Sequence, residues 1–297
     1  MSAVVTVGNF DGVHLGHLAL VARAREEAAL LGASTVALTF DPHPSAVLRP
    51  EGAPLALQTL EERIAGLRSH GCDHVEVIAF DRDLAAATPE GFVAEVLVER
   101  LGAAAVVVGE NFRFGARAAG DVALLRELGV EHGFAVHAVP LVETADGTVS
   151  SSSLRALLAA GDLEAFARGF GRLYAVAGEV VPGDGRGRTI GIPTANVHVA
   201  EGRALPADGV YACWATTPGD EETPAVVNVG WRPTFDGTTR TVEAHLLRDD
   251  APDLYGRTLE LRFVARIRGE QRFDGPEALV ARIREDIAEA GRLLSGS

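Results

Sequence analysis

Two histidines, His14 and His17, stand three residues apart in the glycine-rich segment 8–17, which reads G-N-F-D-G-V-H-L-G-H. With that spacing, both imidazoles can lie on one side of a helix entry and donate hydrogen bonds to one phosphate group. The segment follows a β-branched run, 4–7, and precedes a stretch of helical periodicity, 18–31. A strand-to-helix junction exposes backbone N–H groups, and its glycines allow a phosphate to approach closely. The pattern predicts nucleotide phosphate binding.

A second glycine-rich segment, 183–196, reads G-D-G-R-G-R-T-I-G-I-P-T-A-N. Its glycines offer amide groups to phosphate oxygens, and its arginines compensate phosphate charge. The residues of interest are Gly183, Arg186, Gly187, Arg188 and Gly191. Mg²⁺ prefers few protein oxygens together with phosphates, and Thr194 and Asn196 can supply such oxygens.

One carboxylate, Glu243, stands in a run that otherwise predicts a buried strand, between Val242 and Ala244. An unpaired carboxylate in a protein interior is costly, so a chemical role as a proton acceptor is one interpretation. Strict alternation along the strand leaves a second interpretation open, in which Glu243 faces solvent and has no chemical role.

A serine-rich turn, 150–153, is followed by Leu154 and Arg155. Such a turn at the start of a helix supplies hydroxyls and amides beside a fixed cation, which makes Ser151, Ser152 and Arg155 candidates for phosphate binding. The alternative is a simple serine cap with a surface arginine.

The chain has 297 residues and a formal net charge of −14, and all 27 of its Lys and Arg residues are Arg. The lack of Lys argues against a P-loop, a protein kinase and Schiff-base chemistry, because each requires a lysine amine. The acidic balance argues against a nucleic-acid partner. The two cysteines, Cys72 and Cys213, lack the spacing of a disulfide framework or a zinc cluster.

No segment has the character of a membrane span, since the longest apolar run, 103–108, is too short to cross a bilayer. The N-terminal residues show no leader pattern, so we expect a cytoplasmic protein. The sequence leaves the oligomeric state open, a homo-oligomer included.

The first half of the chain alternates β-branched runs with helical segments, which predicts a mostly parallel sheet with helices on both faces. Helix starts are marked by a capping-box pattern at Thr59 and Glu62 and by Thr88 before Pro89. The predicted strands are 4–7, 35–40, 75–79, 105–109 and 135–139.

After residue 150 two short helices are predicted, the second opened by Asp162, and then the periodicity changes to two. This pattern is typical of an antiparallel barrel or sandwich. The predicted strands are 174–181, 209–216, 225–230, 241–247 and 258–268. A final helix, 276–294, carries an apolar stripe that should pack across the barrel. We place the domain boundary near 169–173.

Several of these segments resemble one known family. The decapeptide 8–17 resembles the H-x-G-H signature of nucleotidyltransferases and, in its fuller form, the FMN adenylyltransferase module of bifunctional bacterial riboflavin kinase/FAD synthetases. Segments 39–44 (T-F-D-P-H-P), 109–115 (G-E-N-F-R-F-G) and 149–155 (V-S-S-S-S-L-R) match in order. Segment 193–196 resembles the P-T-A-N motif of riboflavin kinases, and 228–235 and 241–247 are similar to other kinase-family segments.

The resemblance implies an α/β nucleotidyltransferase domain with a Rossmann-like parallel sheet at 1–170. It also implies a riboflavin kinase domain at 171–297, built as an antiparallel β-barrel with a C-terminal helix. The second domain would phosphorylate riboflavin to FMN with ATP, and the first would adenylylate FMN to FAD and release pyrophosphate. ATP, riboflavin and FMN are the implied substrates, and Mg²⁺ is the implied cofactor.

The resemblance also assigns roles. His14, His17, Arg155 and Glu243 would be catalytic, with Glu243 as the base. Nucleotides would be bound by Gly8, Asn9, Phe10, Asp11, Gly12, Gly16, Ser151, Ser152, Gly183, Arg186, Gly187, Arg188 and Gly191. Asn111, Phe112, Trp231 and Phe235 would contact flavin, and Thr194 and Asn196 would bind Mg²⁺. Ser153 stands where the family element has an arginine, which leaves Arg155 as the only arginine there.

Two other functions are compatible with parts of this sequence. One is a different nucleotidyltransferase whose β-module only binds a flavin as a regulator, and the P-T-A-N segment and Glu243 argue against it. The other is a flavin-sensing regulator without enzymatic activity, which the acidic charge and the lack of a helix-turn-helix pattern disfavour as a nucleic-acid binder.

Overall fold

The computed structural model describes residues 2–183, 187, 190–234, 237–248 and 253–295, with the backbone alone at 232–234 and 237–239. Arg186, Arg188 and Phe235 therefore lie outside the residues or side chains described. The chain divides into two compact units, 1–151 and 152–297.

Valine-rich segments form a parallel sheet in the first unit, as predicted. Its strands are β1 (Ala3–Val7), β2 (Ser34–Asp41), β3 (His74–Ala79), β4 (Ala103–Gly109) and β5 (Ala135–Val139), in the order β3-β2-β1-β4-β5. A short hairpin follows, made of β6 (Glu143–Thr144) and β7 (Gly147–Thr148). Since β1 has β2 on one side and β4 on the other, the strand order reverses there. Open parallel sheets bind ligands at the carboxyl ends of the strands at such a reversal.

Helices cover both faces of this sheet and bury an apolar core on each. They are α1 (Leu15–Leu31), α2 (Pro44–Leu48), α3 (Leu60–Ser69), α4 (Arg82–Ala86), α5 (Pro89–Gly91) and α6 (Val122–His132). After α5 the chain continues as a π-helix, Phe92–Arg100, and two 3₁₀ turns occur at Pro50–Gly52 and Ala116–Ala118. The capping patterns in the sequence are confirmed. Thr59 and Glu62 cap α3 reciprocally, and Thr88 caps α5 with Pro89 in its first turn.

The second unit begins with α7 (Ser151–Ala160) and α8 (Leu163–Phe170), the latter capped by Asp162 as predicted. A closed antiparallel barrel follows, in the order β10-β11-β12-β9-β8-β13. Its strands are β8 (Tyr174–Val181), β9 (Ala195–Val199), β10 (Gly209–Thr216), β11 (Thr223–Thr234), β12 (Gly237–Leu246) and β13 (Thr258–Arg268). The barrel is therefore confirmed, but β9, which the sequence analysis did not predict, contributes to it.

The C-terminal helix α9 (Pro276–Ser295) packs on the barrel with its predicted stripe. Ala290 and Leu294 are buried against the valines of β10 and β11, and Ile287 packs beside them. Leu279 and Ile283, nearer the start of α9, line a cavity instead. Within the ranges that the structure describes, no helix has the length and apolar character needed to cross a membrane.

Candidate active sites

The turn between β1 and α1 has a strained backbone. Phe10, Gly12 and Val13 adopt positive φ angles of 50°, 99° and 42°. A left-handed conformation is unusual for any residue other than glycine, and most of all for β-branched Val13. The Phe10 and Val13 side chains are fully buried in the core beside α1. Their burial stabilises a turn that its own backbone disfavours.

Asp11 holds this turn from inside. Its carboxylate is almost fully buried and accepts hydrogen bonds from the N–H groups of Leu57 (2.9 Å) and Gln58 (3.1 Å). Its backbone carbonyl accepts a hydrogen bond from Ser151 Oγ (2.8 Å). These contacts place Asp11 and Ser151 at the turn between β1 and α1, whose shape both help to fix.

The two histidines lie together at the start of α1, as predicted. His14 is the N-cap residue, and its ring stacks on that of His17 with centroids 3.7 Å apart. Phe10 contacts His17 edge-on, with ring centroids 5.2 Å apart. Gly16 makes room for this stack, because a Cβ there would lie 3.1 Å from the His14 ring. Two imidazoles thus face the entry of the helix beside its backbone N–H groups.

The two histidines do not both carry a positive charge at neutral pH. Burial, together with repulsion from His14 and Arg63, holds the pKa of His17 well below its ordinary value. His17 is therefore neutral at neutral pH and would donate to a phosphate as a neutral imidazole, so its contact with a phosphate oxygen lacks the charge assistance of an imidazolium.

Arg63 belongs to this site and was missed by the sequence analysis. Its side chain lies in the interior, and its guanidinium donates a hydrogen bond to the Asn9 carbonyl (2.8 Å). A signal was present in the sequence, because Arg63 precedes the buried Leu67 by four residues and so shares the apolar face of α3.

The loop after β4 lies at the same edge of the sheet as segment 8–17, because β4 pairs with β1. Asn111 is exposed there, whereas Phe112 is half-buried and stacks on Phe114, with ring centroids 5.5 Å apart. Ser152 and Arg155 lie in α7, with Arg155 one turn after Ser151. Their roles in flavin and phosphate binding stay predictions.

In the barrel, Glu243 on β12 is the centre of a polar row. It lies directly opposite Asn196 on β9 and directly opposite Asn228 on β11. Directly paired residues of antiparallel strands point to the same side of a sheet, so one carboxylate and two carboxamides share one face. Its neighbours Val242 and Ala244 point into the barrel core.

The face of the sheet that carries Glu243 is partly covered. Alternation along the strand allowed either a buried carboxylate or one that faces solvent, and Glu243 lies between these two cases. Glu243 is half-buried and lines a cavity of about 680 Å³, a volume within the range of small-molecule sites. The segment after β13 and the first turns of α9 contribute to the walls of the cavity. Its apolar lining includes Ile192, Val210, Val226, Phe273, Leu279 and Ile283.

A second cavity, of about 960 Å³, lies beside the first. It is lined by Gly191, Pro193 and Ala195, together with the charged side chains of Arg248 and Asp253. Two residues, Thr194 and His245, line both cavities. These two residues therefore mark the junction between the cavity that Glu243 lines, which mixes apolar and charged side chains, and the second cavity.

Two glycines of segment 183–196 lie so close to neighbouring atoms that a side chain would not fit. A Cβ on Gly187 would overlap the Ile192 carbonyl, and a Cβ on Gly183 would overlap the Asn196 carboxamide. The Ile192 N–H donates to the Gly187 carbonyl (2.8 Å), and His245 Nδ1 lies 2.7 Å from the Pro193 carbonyl. These contacts hold the P-T-A-N turn against β12.

Trp231 does not belong to the polar row around Glu243. Its indole is 55% exposed, the Arg240 guanidinium lies 5.8 Å from the ring centroid, and the described lining of the two cavities does not include it. Flavin contact by Trp231 therefore stays a prediction, as does that by Phe235, which lies outside the described residues.

Two oxygen donors of the P-T-A-N segment suit Mg²⁺. Thr194 and Asn196 carry a hydroxyl and a carboxamide, which are hard oxygen donors, and Mg²⁺ takes few protein ligands when phosphates complete its shell. Thr194 reaches both cavities, where a nucleotide phosphate would have to lie for transfer between them. The residues present thus fit the ion.

Comparison with known proteins identifies both units. Residues 1–153 match the family model described as FAD synthetase, and residues 170–294 match the one described as riboflavin kinase. The chain is 39% identical to the bifunctional riboflavin kinase/FMN adenylyltransferase of Escherichia coli (strain K12) over 283 residues, which are 95% of this chain and 90% of the relative. It is 40% identical to the Pseudomonas fluorescens protein of the same description over 295 residues, with 99% and 94% covered.

A solved structure shares the fold along the chain. It is described as a macrolide-efflux protein from Streptococcus pneumoniae, with a TM-score of 0.87, 30% identity, and coverage of 96% of this chain and 92% of that one. Family models thus match both units, and relatives match nearly the full length of the chain. The chain belongs to the family of bifunctional riboflavin kinase/FMN adenylyltransferases.

Proposed function

We propose that the chain makes FAD from riboflavin in two consecutive reactions. Residues 171–297 transfer the γ-phosphoryl group of ATP to the 5′-hydroxyl of riboflavin, and residues 1–170 transfer the adenylyl group of a second ATP to FMN. The observation that carries the proposal is the junction of two cavities at Thr194, one of which is lined by Glu243. A phosphoryl donor in one cavity and a planar aromatic acceptor in the other would meet at that residue.

The kinase reaction benefits from a proton acceptor because its nucleophile is a neutral hydroxyl. The riboflavin oxygen forms a bond to the γ-phosphorus, the bond from that phosphorus to the ADP oxygen breaks, and Glu243 accepts the hydroxyl proton. Asn196 and Asn228 lie opposite Glu243 in the barrel register and would flank its carboxylate. Thr194 and Asn196 would hold Mg²⁺, which supplies positive charge to the transferring phosphates.

The adenylyl transfer has no need of a base, since the phosphate of FMN is already anionic. An FMN phosphate oxygen forms a bond to the α-phosphorus of ATP, and pyrophosphate departs. The site must align the two phosphates and stabilise charge. We assign that task to His14, to neutral His17 and to the N–H groups at the start of α1, which lie together. Arg155 is the proposed cation for the ATP phosphates.

The partners that follow from this proposal are small molecules: ATP, riboflavin and FMN. Since both reactions consume ATP, we place them in the cytoplasm. Neither reaction calls for a nucleic acid, a membrane or a second copy of the chain.

One incubation tests the proposal. The purified protein is supplied with riboflavin, ATP and Mg²⁺, and FMN, FAD, ADP and pyrophosphate are separated and quantified over time. We expect ADP to form with FMN and pyrophosphate with FAD. If riboflavin and ATP give neither FMN nor ADP, while a parallel incubation with FMN releases pyrophosphate from ATP, the result would instead support a nucleotidyltransferase with a regulatory β-module.

A further inference from the structure

Arg63 carries a positive charge into the interior beneath the adenylylation site. It lies on α3, and only 6% of its side chain is exposed. A buried charge is costly unless it is paired and hydrogen-bonded, so its contacts indicate what the charge stabilises.

The Arg63 guanidinium joins two separate segments of the chain. Nη1 donates to the Asn9 carbonyl at 2.8 Å, in the turn after β1. Weaker contacts reach Thr39 Oγ1 and the Phe40 carbonyl, each at 3.4 Å, and Nη2 lies 3.5 Å from the Asp41 carboxylate. Thr39 and Asp41 belong to the end of β2. One side chain thus connects both segments at the carboxyl edge of the sheet.

The Asn9 carbonyl receives a second donor. Thr39 Oγ1 donates to the same oxygen at 3.1 Å. With two donors on this carbonyl, the Asn9–Phe10 peptide is fixed in direction. The N–H of a trans peptide points opposite to its carbonyl, so the Phe10 amide is directed away from Arg63. The strained residue Phe10, with φ of 50°, follows this peptide immediately.

We propose that Arg63 is a positioning residue for adenylyl transfer: with Thr39 it holds the Asn9 carbonyl, and thereby fixes the turn that receives the nucleotide phosphates. The inference rests on the function proposed above for the first unit. The electrostatic coupling of Arg63 to His17 agrees with its place beneath the histidine pair.

Three variants test this role. Arg63→Met keeps the length and apolar stem but removes the cation, whereas Arg63→Lys keeps a donor and the charge. Arg68→Met removes an exposed arginine from the same helix and is the matched control. For each protein, kcat and the KM for ATP are measured for FAD formation from FMN, and riboflavin phosphorylation is measured in the same preparation.

We expect Arg63→Met to lower kcat/KM for ATP in FAD formation by about 10–100-fold, with a raised KM, since small misplacements at a reacting site cost that much. Arg63→Lys should recover most of the loss because an ammonium can still donate to Asn9. Arg68→Met, and riboflavin phosphorylation in every variant, should stay within about twofold of the wild type.

Two results would overturn the role of Arg63 while leaving the function intact. One is a folded Arg63→Met protein with wild-type kinetic constants. The other is a loss in kcat alone that Arg63→Lys does not relieve, which would mean a packing effect. If Arg63→Met does not fold, Thr39→Val tests the proposal instead. This variant removes the second donor to the Asn9 carbonyl with little change in volume. An unaltered KM for ATP in Thr39→Val would then refute the proposal. A wild-type protein that makes no FAD from FMN refutes the function itself.

Discussion

At the scale of single residues, Glu243 distinguishes the two proposed reactions, since one has a neutral nucleophile and the other an anionic one. Glu243→Gln keeps the shape of the side chain and removes the proton acceptor. Phosphorylation of riboflavin should fall by about 10²–10⁴-fold, while the affinities for ATP and riboflavin change much less. Supplied FMN should still become FAD. Both half-reactions are measured on one preparation.

Glu260→Gln is the matched control, because Glu260 is an exposed glutamate of the barrel on β13. It should leave both rates near those of the wild type. Near-normal formation of FMN by Glu243→Gln would remove Glu243 from the mechanism and leave it as a polar wall of the cavity.

His17 makes a prediction about pH. Its pKa in the folded protein is held well below the ordinary value by burial, by His14 and by Arg63. Below about pH 6.5 the unfolded chain binds a proton at His17 that the folded protein does not. The free energy of unfolding is therefore unaffected by His17 above that pH and decreases as the pH falls below it. The loss amounts to at most about 1.4 kcal/mol per pH unit.

Urea unfolding followed by far-UV circular dichroism at pH 8, 6.5 and 5.5 measures this effect. His17→Gln should weaken the fall in the free energy of unfolding between pH 6.5 and 5.5. The two proteins are also compared at pH 8, where His17 is neutral in both states. Equal slopes for wild type and variant below pH 6.5 would contradict a depressed pKa.

At the scale of elements, a buried ion pair joins α9 to the barrel beside their apolar contacts. Arg268, at the end of β13, donates to the Asp286 carboxylate through Nε (3.0 Å) and Nη2 (2.8 Å), and Asp286 is only 1% exposed. Both residues line the cavity that contains Glu243. Asp286→Ala leaves Arg268 without its carboxylate, and we expect a loss of about 3 kcal/mol in the free energy of unfolding.

Denaturant unfolding followed by tryptophan fluorescence measures that loss, because Trp214 packs in the cluster between α9 and the barrel. The control is Glu285→Ala, which removes an exposed carboxylate from the same helix. It should cost no more than about 0.5 kcal/mol. Similar unfolding midpoints for the two variants would show that apolar packing alone holds α9.

At the scale of the whole molecule, the presence of two sites in two units predicts that two variants, each defective in one reaction, complement each other when mixed. Glu243→Gln should retain adenylyl transfer, and His14→Ala should retain riboflavin phosphorylation. Neither variant alone should make FAD from riboflavin at a useful rate. A mixture of the two should make it after a lag in which free FMN accumulates, since FMN formed on one protein can diffuse to the other.

The time course of FMN and FAD in the mixture is compared with that of each variant alone. FAD from riboflavin in the mixture, at a rate that rises with the concentration of either protein, is the expected result. If each variant performs its own half-reaction but the mixture makes no FAD, then FMN does not leave the protein between the two steps.

The sequence by itself determined the type of most elements and the place of the histidine pair. Capping residues such as Thr59, Thr88 and Asp162 act within one helical turn, and the periods of two and 3.6 are local properties of strands and helices. His14 and His17 are neighbours on one helix entry, so their spacing was sufficient to bring them together. The motif resemblance indicated the family for the same reason, because each motif is a contiguous segment.

Only the tertiary structure decided which distant residues meet. Alternation along one strand could not say whether Glu243 faces solvent, because the answer depends on the register of β12 with β9 and β11 and on the cover that α9 provides. Arg63 escaped notice because a buried cation is recognised by its acceptors, and these lie on other elements. The left-handed backbone of Phe10 and Val13 was equally invisible, since tertiary burial and hydrogen bonds, rather than local preference, stabilise it.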